Sequence, residues 1–169
     1  MTLRFPSPTV PIDDRRQVLL GYLDYFRSVV TDRLTGVDEA WLRESRLPSG
    51  WAPLELLKHL VYMEQRWLVW GFVGQDVADP WGDNHDGRWR VDDDETPAVL
   101  MDQLHQGGRR TRAIVEAHTL ADVGAPGERW DGEPPAPLER VLLHVIQEYA
   151  RHAGHLDIVR ELVDGHTGE

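Results

Sequence analysis

Apolar residues recur at helical spacing along four stretches of the chain, and no strand-like alternation of useful length appears. From Asp13 or Asp14 to about Leu34, the residues Val18, Leu19, Tyr22, Leu23, Phe26, Val29, Val30 and Leu34 share one face, and Gly36 is placed to stop the helix. A loop over 47–51 follows. Pro53 suits the first turn of a second helix and Glu55 its positive end. That helix carries Leu54, Leu57, Leu60, Val61, Trp67 and Leu68 before Gly71 and Gly74 close it. Thr96-Pro97 supplies an N-cap and a proline at the first helical position of a third helix, which runs to about His118 with Gly107-Gly108 weakening its middle. Pro137 opens a fourth helix, which runs to about Val163 before Gly165. The pattern thus predicts helices over 13–35, 53–71, 96–118 and 137–163.

Between the second and third helices lies a polar, acidic stretch over 75–95 that also holds Trp81 and Trp89. Its length and composition suit a long crossover or lid better than a separate domain. Four long helices with one long crossover predict an all-α fold, an antiparallel four-helix bundle forming a single domain over 1–169. A chain of 169 residues can bury one such core without staples.

Composition narrows the chemistry. The absence of cysteine removes disulfides, thiolate metal ligands and cysteine nucleophiles together, and fits a reducing compartment. A formal charge of −11 without a basic block repels phosphate backbones, so no nucleic-acid partner is expected. No apolar run approaches a membrane span, and the first six residues lack a signal-peptide core. A soluble, cytoplasmic protein is the expectation.

The segment Glu148-Tyr149-Ala150-Arg151-His152-Ala153-Gly154-His155 concentrates candidate ligands. On a helix, positions three and four apart lie one above the other, so Glu148, His152 and His155 project from one stripe. Core-type residues Val145, Tyr149, Leu156 and Val159 flank it. His59 lies in the apolar run of the second helix and can meet that stripe across a bundle interior. Imidazole and carboxylate together suit a divalent first-row metal, and three ligands leave a position open for water or substrate. A polar stripe supported only by Glu–His pairing is the alternative. His144, one turn before Glu148, either orients it or sits on the helix flank. His85, His105, His118 and His166 fall in loops or on polar faces. Glu64, about 140° around the helix from His59, is placed to pair with Arg66 or a site histidine.

Pro48-Ser49-Gly50-Trp51 with the run from Leu54 to Trp67 resembles the second helix of the DinB-like superfamily, and within it the actinobacterial branch related to mycothiol transferases. The run from Glu148 to Leu162 with Asp164-Gly165, and the opening Leu20-Gly21-Tyr22-Leu23-Asp24-Tyr25-Phe26-Arg27, resemble the same branch. The resemblance implies a four-helix bundle holding a metal by one histidine of the second helix and two residues four apart on the last. His59, Glu148 and His152 match those positions. Many relatives have histidine where this chain has Glu148, and the carboxylate variant resembles mycothiol-dependent maleylpyruvate isomerase. His155 falls where many relatives have glutamine, which makes it a neighbour of the site; geometry also permits it as a further ligand.

The resemblance implies a metal-dependent thiol S-transferase that joins mycothiol, a small-molecule thiol, to a small electrophile. Zinc is the first expectation for the divalent metal, with nickel and manganese compatible with the same donors. A metal-binding bundle without turnover, stress-linked or homodimeric with a structural metal, and a metal-dependent hydrolase that activates water are the alternatives.

Overall fold

The computed structural model describes residues 3–167. Met1 and Thr2, part of the segment read for a signal peptide, lie outside the described residues, as do Gly168 and Glu169. The chain is mostly helical: α1 (Arg15–Leu34), a short α2 (Glu39–Leu42), α3 (Pro53–Glu64), α4 (Pro97–Ala117) and α5 (Leu138–Asp164). Among the described residues the one sheet is a two-stranded hairpin, β1 (Asn84–His85) with β2 (Arg88–Trp89). An all-α bundle is therefore the observed fold, and no helix in the described residues is long and apolar enough to cross a membrane.

The helix ends follow the local chemistry. Asp14 caps α1 by accepting from the Arg16 amide at 2.8 Å. Thr96 caps α4 through the Val99 amide, with Pro97 at the first helical position. Ala52 has no side chain to cap α3, so only the Glu55 arm of a capping box forms, accepting from the Ala52 amide at 2.8 Å. Pro137 sits just outside α5 rather than within it, and Gly165 ends that helix in the left-handed conformation.

The second predicted helix differs in one respect from the observed one. After Glu64 the chain widens into π-helical turns over Gln65–Val73 before Gly74 stops it. Each π turn holds more residues than an α turn, so a 3.6-residue pattern drifts out of phase there. The consequence is visible at Arg66, which is buried, whereas Trp67 is only half-buried. Gly74 has φ 71°, and a Cβ there would lie 2.6 Å from the Ala125 Cβ. Gly74→Ala is expected to lower stability by about 1–3 kcal/mol through backbone strain alone, read as a lower urea midpoint with an unchanged slope.

α1 packs on α4 and α5, and α3 packs on the same two helices, so a continuous core runs between them. Leu23, Leu57, Leu60, Leu100, Leu142 and Val145 lie at its centre, fully buried. Gly107 and Gly108 sit where α4 passes a buried ion pair. A Cβ on Gly108 would come 3.2–3.3 Å from the Arg27 side chain. Of the two residues that weaken α4 by propensity, Gly108 is thus the one that lets the buried charge pair fit beneath it.

Arg27 and Glu64 form that pair, each almost fully buried. Arg27 Nε donates to Glu64 at 3.1 Å, Thr111 Oγ1 donates to the same carboxylate, and Tyr149 Oη donates at 2.6 Å. The expectation that Glu64 pairs with Arg66 or a site histidine is corrected here. The helical turn carries its carboxylate toward α1 and α4, away from His59. Burial works against its charge, but the Arg27 guanidinium and the hydroxyl donors hold its pKa below the ordinary glutamate value.

Candidate metal centre

His59 on α3 and Glu148 and His152 on α5 converge in the groove between these helices. One donor atom from each lies within 4.8 Å of the other two. The His59 and His152 rings meet edge to face with centroids 5.2 Å apart, and His152 Nε2 is 3.3 Å from a Glu148 oxygen. The helical register that stacks Glu148 over His152 is the local cause, and packing of α3 against α5 brings in His59.

His152 is 5% exposed, and burial, with the neighbouring His59 and His155 imidazoles, pushes its pKa down to about 3. It is therefore uncharged near neutral pH, the form in which imidazole donates a lone pair. His155 sits beside this group without joining it: its Nδ1 is 3.4 Å from the Nδ1 of His152, and its ring faces Trp51 at 6.0 Å. His144 packs edge-on against Trp67 at 4.5 Å, and among the described residues no hydrogen bond joins it to Glu148. Burial lowers its pKa, with Glu148 opposing the shift and Arg129 adding to it.

Two residues of the acidic crossover complete the surroundings of His59. Asp83, 1% exposed, accepts from the His59 ring Nδ1 at 3.0 Å. Arg66 grips the same carboxylate at 2.5 and 3.1 Å and spends a further donor on the Pro80 carbonyl. Burial raises the Asp83 pKa, but the hydrogen bonds of His59 and Arg66 outweigh it and leave it lowered. An ionised carboxylate can only accept, so Nδ1 of His59 carries the proton and Nε2 is the atom left to bind an ion. Trp89 stacks on the His59 ring at 4.4 Å, and its indole also meets His152.

The hairpin places both residues. Asp86 and Gly87 have positive φ, the two-residue turn that Asp-Gly favours, and it pairs Asn84 with Trp89 and His85 with Arg88. The Arg90 amide then bonds the Asp83 carbonyl. Neither Asp83 nor Trp89 was singled out as a site residue by spacing, although Asp-Gly between two short polar-aromatic runs is a hairpin signal. The far end of the crossover is anchored by Lys58, buried in α3, which donates to Glu95 at 2.6 Å.

Two neutral-capable imidazoles and one carboxylate, the first imidazole fixed in tautomer and the second held uncharged, suit a divalent first-row ion. The fold and this donor set define a helical bundle with a three-residue, metal-type cluster beneath a tryptophan-bearing crossover. The mycothiol S-transferase family matches residues 18–165, and the chain belongs to that family. No curated protein matches the chain.

Proposed function

We propose that the protein is a cytoplasmic, metal-dependent S-transferase that joins mycothiol to a small electrophile, with His59, Glu148 and His152 as the metal ligands. The observation that carries this is the convergence of those three donors in a member of the mycothiol S-transferase family. Zinc is the first choice of ion and nickel or manganese fit the same donors. When bound, the divalent ion supplies Lewis acidity that favours the ionised, nucleophilic form of a thiol near neutral pH.

The protein groups have separate tasks. His59 and His152 offer uncharged nitrogen, and Glu148 offsets part of the ion's charge. Asp83 fixes the His59 ring and its tautomer, and Arg66 fixes Asp83. Trp89 covers His59 and His152 and limits water there, which strengthens electrostatics within the site. The chain has no cysteine, so the sulfur nucleophile comes from the small-molecule thiol.

Mycothiol with an electrophile such as monobromobimane, against the electrophile alone, tests the assignment. Acceleration that depends on mycothiol and is lost on metal removal is expected. Water-dependent turnover without thiol would instead indicate a hydrolase, and metal binding without turnover a non-catalytic metal protein.

Asp83→Asn keeps the shape of the side chain but halves its acceptor capacity toward His59 and Arg66. Metal affinity is expected to fall by about 10–100-fold, measured by competition with a chromophoric chelator. Unchanged affinity would mean that Asp83 serves the crossover alone.

A further inference from the structure

Two arginines lie near each other beside the site, and only one is neutralised. Arg66 is gripped by Asp83. Arg129, on the helical turn Glu128–Trp130, has no hydrogen-bond or ion-pair partner among the described residues. Its Nε is sealed from solvent without an acceptor. Its guanidinium lies 3.6 Å from the Trp67 ring centre and 5.8 Å from that of Trp81.

The placement is built. Gly71 makes room for the arginine stem, since a Cβ there would lie 3.2 Å from Arg129 Cγ. Burial and the charge of Arg66 both disfavour the Arg129 cation, and among the described residues the acid opposing them is Asp131. Buried donors in native proteins nearly always find an acceptor, and an orphan calls for an explanation. The terminal nitrogens Nη1 and Nη2 are not sealed in this way and likewise have no acceptor among the described residues, and an incoming anion supplies one there.

The same frame leads to the metal-type cluster. Trp67, under Arg129, packs on His144, one helical turn before Glu148. Trp81, on the other side, lies 4.4 Å from Arg66, which holds the Asp83 that holds His59. One uncompensated positive charge matches a monoanion, and the planar fork matches a carboxylate.

We propose that Arg129, framed by Trp67 and Trp81, binds the carboxylate of a small organic acid, which under the S-transferase reading is the electrophilic co-substrate. The proposal rests on that reading only for the ligand's role in turnover.

The test titrates the metal-loaded protein with benzoate and with its neutral match benzamide, followed by tryptophan fluorescence. Wild type is expected to bind benzoate at least about tenfold more tightly than benzamide, the ratio that one modest charge-assisted contact supplies. Arg129→Gln should lose that preference, and Arg129→Lys, which keeps the charge but not the fork, should show a reduced one, with circular dichroism confirming the fold of each. Benzoate preference that is absent in wild type, or undiminished in both variants, overturns the subsite. Tighter binding of inorganic phosphate than of benzoate overturns its carboxylate class. In turnover with mycothiol, Arg129→Gln should raise KM for iodoacetate with kcat held, and leave iodoacetamide unaffected. Loss of benzoate preference in Arg129→Gln without thiol transfer by any form of the protein would support the subsite and remove the transferase reading instead.

Discussion

His152→Ala is expected to abolish both metal retention and thiol transfer while leaving the fold intact. The imidazole sits at the centre of the three-donor cluster, within reach of both Glu148 and His59. Its removal leaves two protein donors, so affinity should fall by more than the about 10–100-fold that orienting groups alone control. Activity should go with the metal, because a free thiol near neutral pH is mostly protonated and a poor nucleophile. The fold should survive, since the apolar core between the helices does not depend on this ring. His144→Ala should do much less, because that ring contacts Trp67 rather than the cluster. Elemental analysis, circular dichroism and the mycothiol assay on both variants read these outcomes. Full metal occupancy in His152→Ala would make His155 the better ligand. Loss of metal with unfolding would mark the ion as structural.

Glu64→Ala should produce the largest loss of stability. It leaves the buried Arg27 guanidinium with Asp24 as its remaining carboxylate partner and takes the acceptor from Thr111 and Tyr149 at once. Breaking a buried pair by removing one partner costs about 3–5 kcal/mol, which urea denaturation would show as a lower midpoint. The double change Arg27→Met with Glu64→Leu should recover much of that loss, because it leaves no charge buried. The pH sense follows from the lowered pKa of Glu64. Its contribution is full above the ordinary glutamate value and is lost as pH falls through the lower folded-state value. Wild type should therefore lose stability in acid, and the double variant should lose less of it.

Much of this was legible in the sequence because local rules governed it. Thr96-Pro97 began α4, Gly74 and Gly165 stopped their helices, and the four apolar stripes became the four long helical stretches. Glu148 and His152 were readable as a pair because a single helix fixes their spacing, and His59 was readable as a candidate in the apolar run of the second helix, to which the resemblance gave the same role. Tertiary context decided the rest. The destination of Glu64 depended on which neighbour met α3, and Arg27 is 37 residues away. The π-helical turns after Glu64 put Arg66 inside, against the pattern of a regular helix. Asp83 was one of several acids in a stretch read as a long crossover or lid, and the hairpin and Arg66 single it out. Short elements such as α2 carry too few residues for periodicity to register.

As proposed, His59, Glu148 and His152 hold a divalent ion with a position open to a thiol sulfur. Cobalt(II) in place of the native metal reports both parts in one optical spectrum. Mycothiol added to the cobalt-loaded protein should produce a sulfur-to-cobalt charge-transfer band in the near ultraviolet, and the band should be absent from His152→Ala treated in the same way. Cobalt bound by wild type with no such band at saturating mycothiol, or an undiminished band in His152→Ala, would contradict the account.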